Sequence, residues 1–295
     1  MIAEKDLIYG SLVIEDESYS IQDLGGGVRV LCKVNNNYVK SKSCPMGGFE
    51  KSESNQEAAS ENQQRSSATC DVKVLMLFTQ GAINRVVDIN QTMSLAIAQT
   101  NQAYQNSAIG NNIQLVPVFS AFMNFTETQL GANDVNTLAL GGLLSSTGQT
   151  VNQLRNNHGA DIVVLFGNGA VWTDVAGIVA AIGPNNTQAF AVVDALLATS
   201  VGLVFTHEIG HLFGCRHEPC AASSAGSGCD PTGAIQHAHI FKTGSLFNKK
   251  ERFTIMHSSE FNNIIPHFSN PNVTFAGGST GTANRNNAQQ LTNTS

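Results

Sequence analysis

From Asp71 onward the sequence predicts an α/β fold with a parallel sheet, and three observations carry that reading. Runs at strand spacing alternate with runs at helical spacing. One strand run, Asp161–Phe166, is apolar on both faces after its opening aspartate, as a central parallel strand is. The order strand, helix, strand, helix, strand requires crossover connections, which are right-handed. With 295 residues, 42% of them hydrophobic, the chain is long enough to bury a sizeable core.

Taken in order, residues 1–48 hold two strand-like runs, Leu7–Ile14 and Val28–Val34, about the triplet Gly25-Gly26-Gly27. No helix and no Lys-Ser/Thr pair follows the triplet, so it reads as a turn and not a phosphate loop. Glu50–Thr69 is rich in Ser, Glu, Gln and Asn and has no aliphatic side chain larger than alanine. Such a stretch buries too little surface to order itself. The organisation expected is a small β-rich segment at 1–48, a protease-sensitive linker at 49–69, and one domain over 70–295.

Within that domain, Val72–Phe78 is a strand run, and Gly81–Ser107 carries Ile83, Val86, Val87, Met93, Ile97 and Tyr104 at helical spacing. Ile113–Phe119 is a second strand, Asn152–His158 a helix and Asp161–Phe166 a third strand. His158 reads as a solvated helix end. A further strand is expected at Gly177-Ile178-Val179-Ala180-Ala181, followed by a turn at Pro184-Asn185-Asn186 and a strand over Phe190–Val193. Trp172 reads equally as a core anchor or a rim residue.

The stretch Thr206–Glu218 reads T-H-E-I-G-H-L-F-G-C-R-H-E. His207 and His211 are four apart, hence one turn apart on one helix face, where two imidazoles reach one cation. Gly214 suits a left-handed helix end, after which the chain offers His217 as a third nitrogen. Three neutral imidazoles suit Zn2+ and leave a fourth position open, the arrangement of a catalytic site. Glu208, next to the first ligand, is the general base and acid this chemistry needs. After His217 the chain reads as loop-rich to Lys250. His237 and His239 form a period-2 pair able to mimic a metal site, but with three ligands already in hand structural roles are expected for them.

This motif resembles that of the metzincin zinc endopeptidases, H-E-x-x-H-x-x-G-x-x-H with a methionine turn downstream. Thr254-Ile255-Met256-His257 matches the turn, and the resemblance implies that Met256 is an apolar floor beneath the ligands. Ser258 stands where some members carry a tyrosine near the metal. Pro266–Val273 resembles the F-S-N-P segment of bacterial reprolysin-like and peptidyl-Asp metallopeptidases. The resemblance implies a metzincin-type domain with a mostly parallel sheet, a zinc helix and a smaller, loop-rich lower subdomain. It further implies that one edge strand, expected at Gly177, Ile178, Val179 and Ala180, runs antiparallel and pairs with an extended peptide; an ordinary core strand is the alternative. Tyr19–Val30 is similar to the end of a reprolysin-type propeptide. In many metzincins a propeptide cysteine blocks the zinc; Cys44 is the candidate here, with Cys32, a Cys32–Cys44 disulfide or free thiols as alternatives. An acidic preference after the cut bond would want a cation, for which His257, His267 and Arg285 are available.

Six cysteines stand at 32, 44, 70, 215, 220 and 229. The last four are an even set, consistent with two disulfides in an oxidising compartment, the alternative being buried free thiols. A net charge of −6 argues against nucleic-acid and anionic-membrane surfaces, and no run of about 18 apolar residues is present. No apolar h-region follows Met1–Asp6, so the expected reading is an incomplete start of a secreted protein. The function expected is a latent zinc endopeptidase acting on protein or peptide substrates. The rival from another class is a non-catalytic, zinc-containing surface or adhesion module of the same fold; a metal-free binding protein is a third.

Overall fold

A computed structural model describes residues 2–4, 7–14, 17–23, 29–33, 69–183, 187–200, 202–219, 235–245, 248–258 and 263–294. The N-terminal strands β1 (Ile2–Glu4), β2 (Leu7–Ile14), β3 (Glu17–Asp23) and β4 (Arg29–Lys33) form an antiparallel four-stranded meander. The Gly25–Gly27 turn, Cys44 and the linker apart from Thr69 lie outside the described residues. So do Pro184–Asn186, Cys220 and Cys229.

The main sheet is built from β5 (Cys70–Phe78), β6 (Ile113–Phe122), β7 (Ile162–Gly167), β8 (Gly177–Val179) and β9 (Phe190–Asp194), in the order β6-β5-β7-β9-β8. The four strands from β6 to β9 are parallel, and β8 runs antiparallel at the edge beside β9. Every residue of β7 is buried, as its two apolar faces require. Pro117 sits in β6, an edge strand of this sheet, the place where a strand tolerates a residue without an N–H.

Alternation along the strands divides the core in two. Val72, Val74, Met76, Val164 and Phe166 face one side, while Leu75, Leu77, Val163 and Leu165 face the other. The first side is covered by α2 (Ile89–Asn106) and α5 (Val204–Leu212), the second by α3 (Gly131–Ala139) and α4 (Val151–His158). The predicted Gly81–Ser107 helix is two helices: a single turn, α1 (Gln80–Ile83), capped by Thr79, and then α2, whose N-terminus Asp88 caps by accepting from Asn90 and Gln91 N–H. Trp172 is a core anchor, 1% exposed, with Nε1–H donated to Asp134 at 2.7 Å. His158 is not simply solvated, since its ring stacks 4.0 Å from Phe119.

The expected loop-rich stretch after His217 contains an antiparallel hairpin, β10 (Ile240–Ser245) and β11 (Asn248–Phe253). A small pair, β12 (Thr274–Phe275) with β13 (Gly278–Ser279), and helix α6 (Asn287–Thr294) complete the chain. The expectation of two disulfides is corrected at both described cysteines of the set. Cys70 is a half-buried free thiol and Cys215 a fully buried one. Cys215 packs into the core like a small apolar side chain, and burial pushes its thiol pKa far up. Among the described residues, no helix is long and apolar enough to cross a membrane.

Candidate metal centre

Helix α5 is buried along its whole length, and its two ends position the site. It starts at Leu203, a left-handed residue (φ +49°) with no side-chain cap, and Thr206 ties it to α2 through a 2.9 Å contact with Thr100. It ends at Gly214 (φ +85°), where Cys215 N–H donates to Gly210 C=O at 3.0 Å and Gly214 N–H to His211 C=O at 2.9 Å. That paired pattern stops a helix sharply and needs glycine at the left-handed position. The turn carries His217 back over the helix, so that its Nε2 lies 3.0 Å from His207 Nε2 and 3.1 Å from His211 Nε2.

The hydrogen bonds settle where the lone pairs point. His207 Nδ1 lies 2.8 Å from the Ile255 carbonyl and His211 Nδ1 2.8 Å from that of Cys215; a carbonyl only accepts, so both Nδ1 atoms carry the proton. Both Nε2 atoms therefore present lone pairs to the cluster, and the His217 nitrogen is able to donate to only one of them. Burial holds all three rings neutral. It pushes His207 down to about 4, and His211 and His217 well below their ordinary value, with neighbouring imidazoles adding to the effect in those two. A cation satisfies this surplus of lone pairs. Zinc at about 2.0–2.1 Å from each of three nitrogens sets them about 3.3 Å apart in a tetrahedron, close to the separations found here. The triad is the one such cluster among the described residues, and it suits a zinc ion.

The surroundings are close-packed. A Cβ on Gly210 would lie 2.3 Å from Met256 Sδ, so the methionine sits directly under the helix between the two histidine turns. A Cβ on Gly177 would lie 2.9 Å from both Cγ and Oε1 of Glu208, so strand β8 passes against that carboxylate because residue 177 is glycine. Ile178 and Val179 continue β8, and Ala180 N–H donates to Phe190 C=O at 2.9 Å. The structure thus brings together His207, Glu208, His211, His217, Met256 and the β8 residues. Cys44 lies outside the described residues.

His237 is structural, its Nδ1 2.6 Å from the His217 carbonyl, and His239 stacks on Phe241. His257 is close enough for its charge to bear on His207 and His217. His267 instead faces Phe275, and Arg285 lies near His239. Sequence reasoning gave no role to Glu218, whose carboxylate accepts Ser258 N–H at 3.0 Å and Ser258 O–H at 2.6 Å and lies 3.7 Å from His257 Nε2. It joins the third histidine to the methionine turn. An acidic residue directly after His217 was the available signal.

A family model described as metallo-peptidase family M12 matches residues 66–265. A peptidyl-Asp metalloendopeptidase of Stenotrophomonas maltophilia (strain K279a) is 27% identical over 79% of this chain and 53% of its own length. One from Xanthomonas campestris pv. campestris is 24% identical over 100% of this chain and 67% of its own. The chain thus spans about half the length of the first of these relatives. A solved structure titled as a chaperone–substrate complex overlays with a TM-score of 0.52 at 15% identity, covering 77% of this chain and 35% of that one, a likeness of fold.

Proposed function

We propose, from the premise that the chain belongs to metallo-peptidase family M12, that it is the catalytic part of a zinc endopeptidase. The observation that carries this reading is the convergence of three buried imidazoles, with the Glu208 carboxylate on the helix that bears two of them. His207, His211 and His217 would hold the ion. Zinc bound there would act as a Lewis acid for the scissile carbonyl and would lower the pKa of a water from about 15.7 towards roughly 7. Glu208 takes the proton from the attacking water and returns it to the leaving amine. Strand β8 offers its outer N–H and C=O groups to an extended substrate, a role supported by its edge position and its passage against Glu208. Met256 is the apolar floor under the ligands.

Residues 1–48 belong to a propeptide in this reading, 49–69 are the activation linker and 70–295 the peptidase domain of a secreted protein. Cys44 blocks the open metal position, with Cys32 as the alternative, until the linker is cut; the linker's polar composition supports that site of cleavage. The name shared by the relatives supports cleavage beside aspartate. His257, close enough to bear on His207 and His217, is the imidazole this reading assigns to such a side chain.

Glu208→Gln is expected to retain one zinc per chain by atomic absorption and to lose casein cleavage by roughly 10²–10⁴-fold. Undiminished cleavage by that variant sinks the mechanism. Cutting within 49–69 is expected to raise activity, and equal activity before and after the cut removes the zymogen reading.

A further inference from the structure

We infer that His237 is a positioning residue for the metal site, fixing the third ligand through its backbone instead of its ring. The inference deepens the zinc-peptidase reading and rests on it. His207 and His211 each have the ring plane set by a Nδ1–H bond to a carbonyl on the side away from the cluster. His217 differs. Its Nδ1 is buried and has no hydrogen-bond partner among the described residues. Among the described residues no bond of that kind orients the ring, so the placement of Nε2 there depends on where the backbone holds the Cα.

The backbone is held tightly. His237, 4% exposed, lies with Nδ1 2.6 Å from the His217 carbonyl, and since the carbonyl only accepts, Nδ1 donates. Beside it Arg216 N–H donates to Gln236 C=O at 2.7 Å and Ala238 N–H to Arg216 C=O at 3.2 Å. These bonds lock the residues before the ligand to the segment that carries His237. The peptide whose carbonyl His237 holds runs on to Glu218, which grips Ser258 on the other side.

Segment 236–238 is anchored in turn. Asn287 Nδ2 donates to Gln236 C=O at 2.5 Å, and Ser269 Oγ lies 2.9 Å from the His237 carbonyl. Asn287 N–H donates to Ser269 Oγ at 2.8 Å, and the Cys215 thiol reaches the Asn287 carbonyl at 3.9 Å. The buried circuit thus returns to the residue that starts the third-ligand turn. A rigid frame of this kind places a ligand whose own ring is not tethered, as outer partners of metal ligands do.

The test compares His237→Leu with His237→Asn in the full chain. The two side chains are of similar size, and only asparagine offers an N–H near the Nδ1 position. Zinc affinity and release rate are read with a chromophoric chelator, and thermal stability is read separately in the zinc-free chain. His237→Leu is expected to weaken zinc binding roughly 10–100-fold and to speed release, with His237→Asn recovering most of the loss. Zinc binding by His237→Leu within twofold of wild type overturns the inference. Equal losses in both variants that track the stability of the zinc-free chain overturn it too. If the leucine variant does not fold, Ser269→Ala is expected to give a smaller rise in the release rate, and an unchanged rate there overturns the inference. A wild-type chain that takes up no zinc overturns the peptidase reading itself, so the wild-type titration tells the two failures apart.

Discussion

Gly210 shows how much one missing methyl matters at this site. Alanine there gains about 1 kcal/mol of helix propensity, but its Cβ would stand 2.3 Å from Met256 Sδ. Overpacking of that kind costs about 1–3 kcal/mol, so Gly210→Ala is expected to be less stable than wild type in urea unfolding. In a Met256→Ala background, itself destabilised by the cavity it leaves, adding Gly210→Ala should cost much less than it does in wild type; a single mutant more stable than wild type refutes the packing account. The histidines carry a pH dependence whose sign follows from burial. Between about 4 and 6.5 the unfolded chain binds a proton at His207 that the folded chain refuses, so stability of the zinc-free chain rises with pH there and falls on acidification. Its melting temperature is expected to drop from pH 7 to pH 5; a flat profile contradicts neutral, buried rings. The ligands were legible because helical spacing alone brings His207 and His211 together. The work of His237 and Glu218 was not, because their partners lie 20 and 40 residues away in sequence.

The strands were readable wherever both faces are buried, as in β7, or where a short apolar run meets a glycine, as in β8. Helix α3 was not readable. Leu130 at its start caps nothing, and its first N–H groups, on Gly131 and Ala132, donate to the Asp174 carboxylate from a distant loop. Helix α6 is mostly polar and is held by Leu291 in the core and by Gln290 donating to Phe213 C=O. Both helices exist through tertiary partners that no local pattern announces. The turn leading into α5 depends on another distant pair, Asp194 at the end of β9 and Arg85 between α1 and α2, 3.2 Å apart with Asp194 fully buried. Arg85→Met removes the cationic partner of a buried carboxylate that still accepts Leu196 N–H at 2.9 Å, and is expected to be destabilising by about 1–3 kcal/mol in denaturant unfolding. A loss below 1 kcal/mol would mean the pair contributes little.

Over the whole molecule, the groups that shape the centre come from Gly177 on the sheet edge to Asn287 on the last helix. All three imidazoles, by contrast, fall within eleven consecutive residues. Excess zinc should raise the melting temperature as mass action requires, by an amount set by how much better the folded chain binds it than the unfolded one. That difference is smaller for so compact a ligand set than for one gathered from distant segments. Gathering three donors from eleven residues costs a random coil little closure entropy, which grows only as the logarithm of loop length. The denatured chain is therefore a competitor for the ion, and a chelator should be needed to strip it even in urea. What folding adds is a dry, fixed angle among donors that were never far apart.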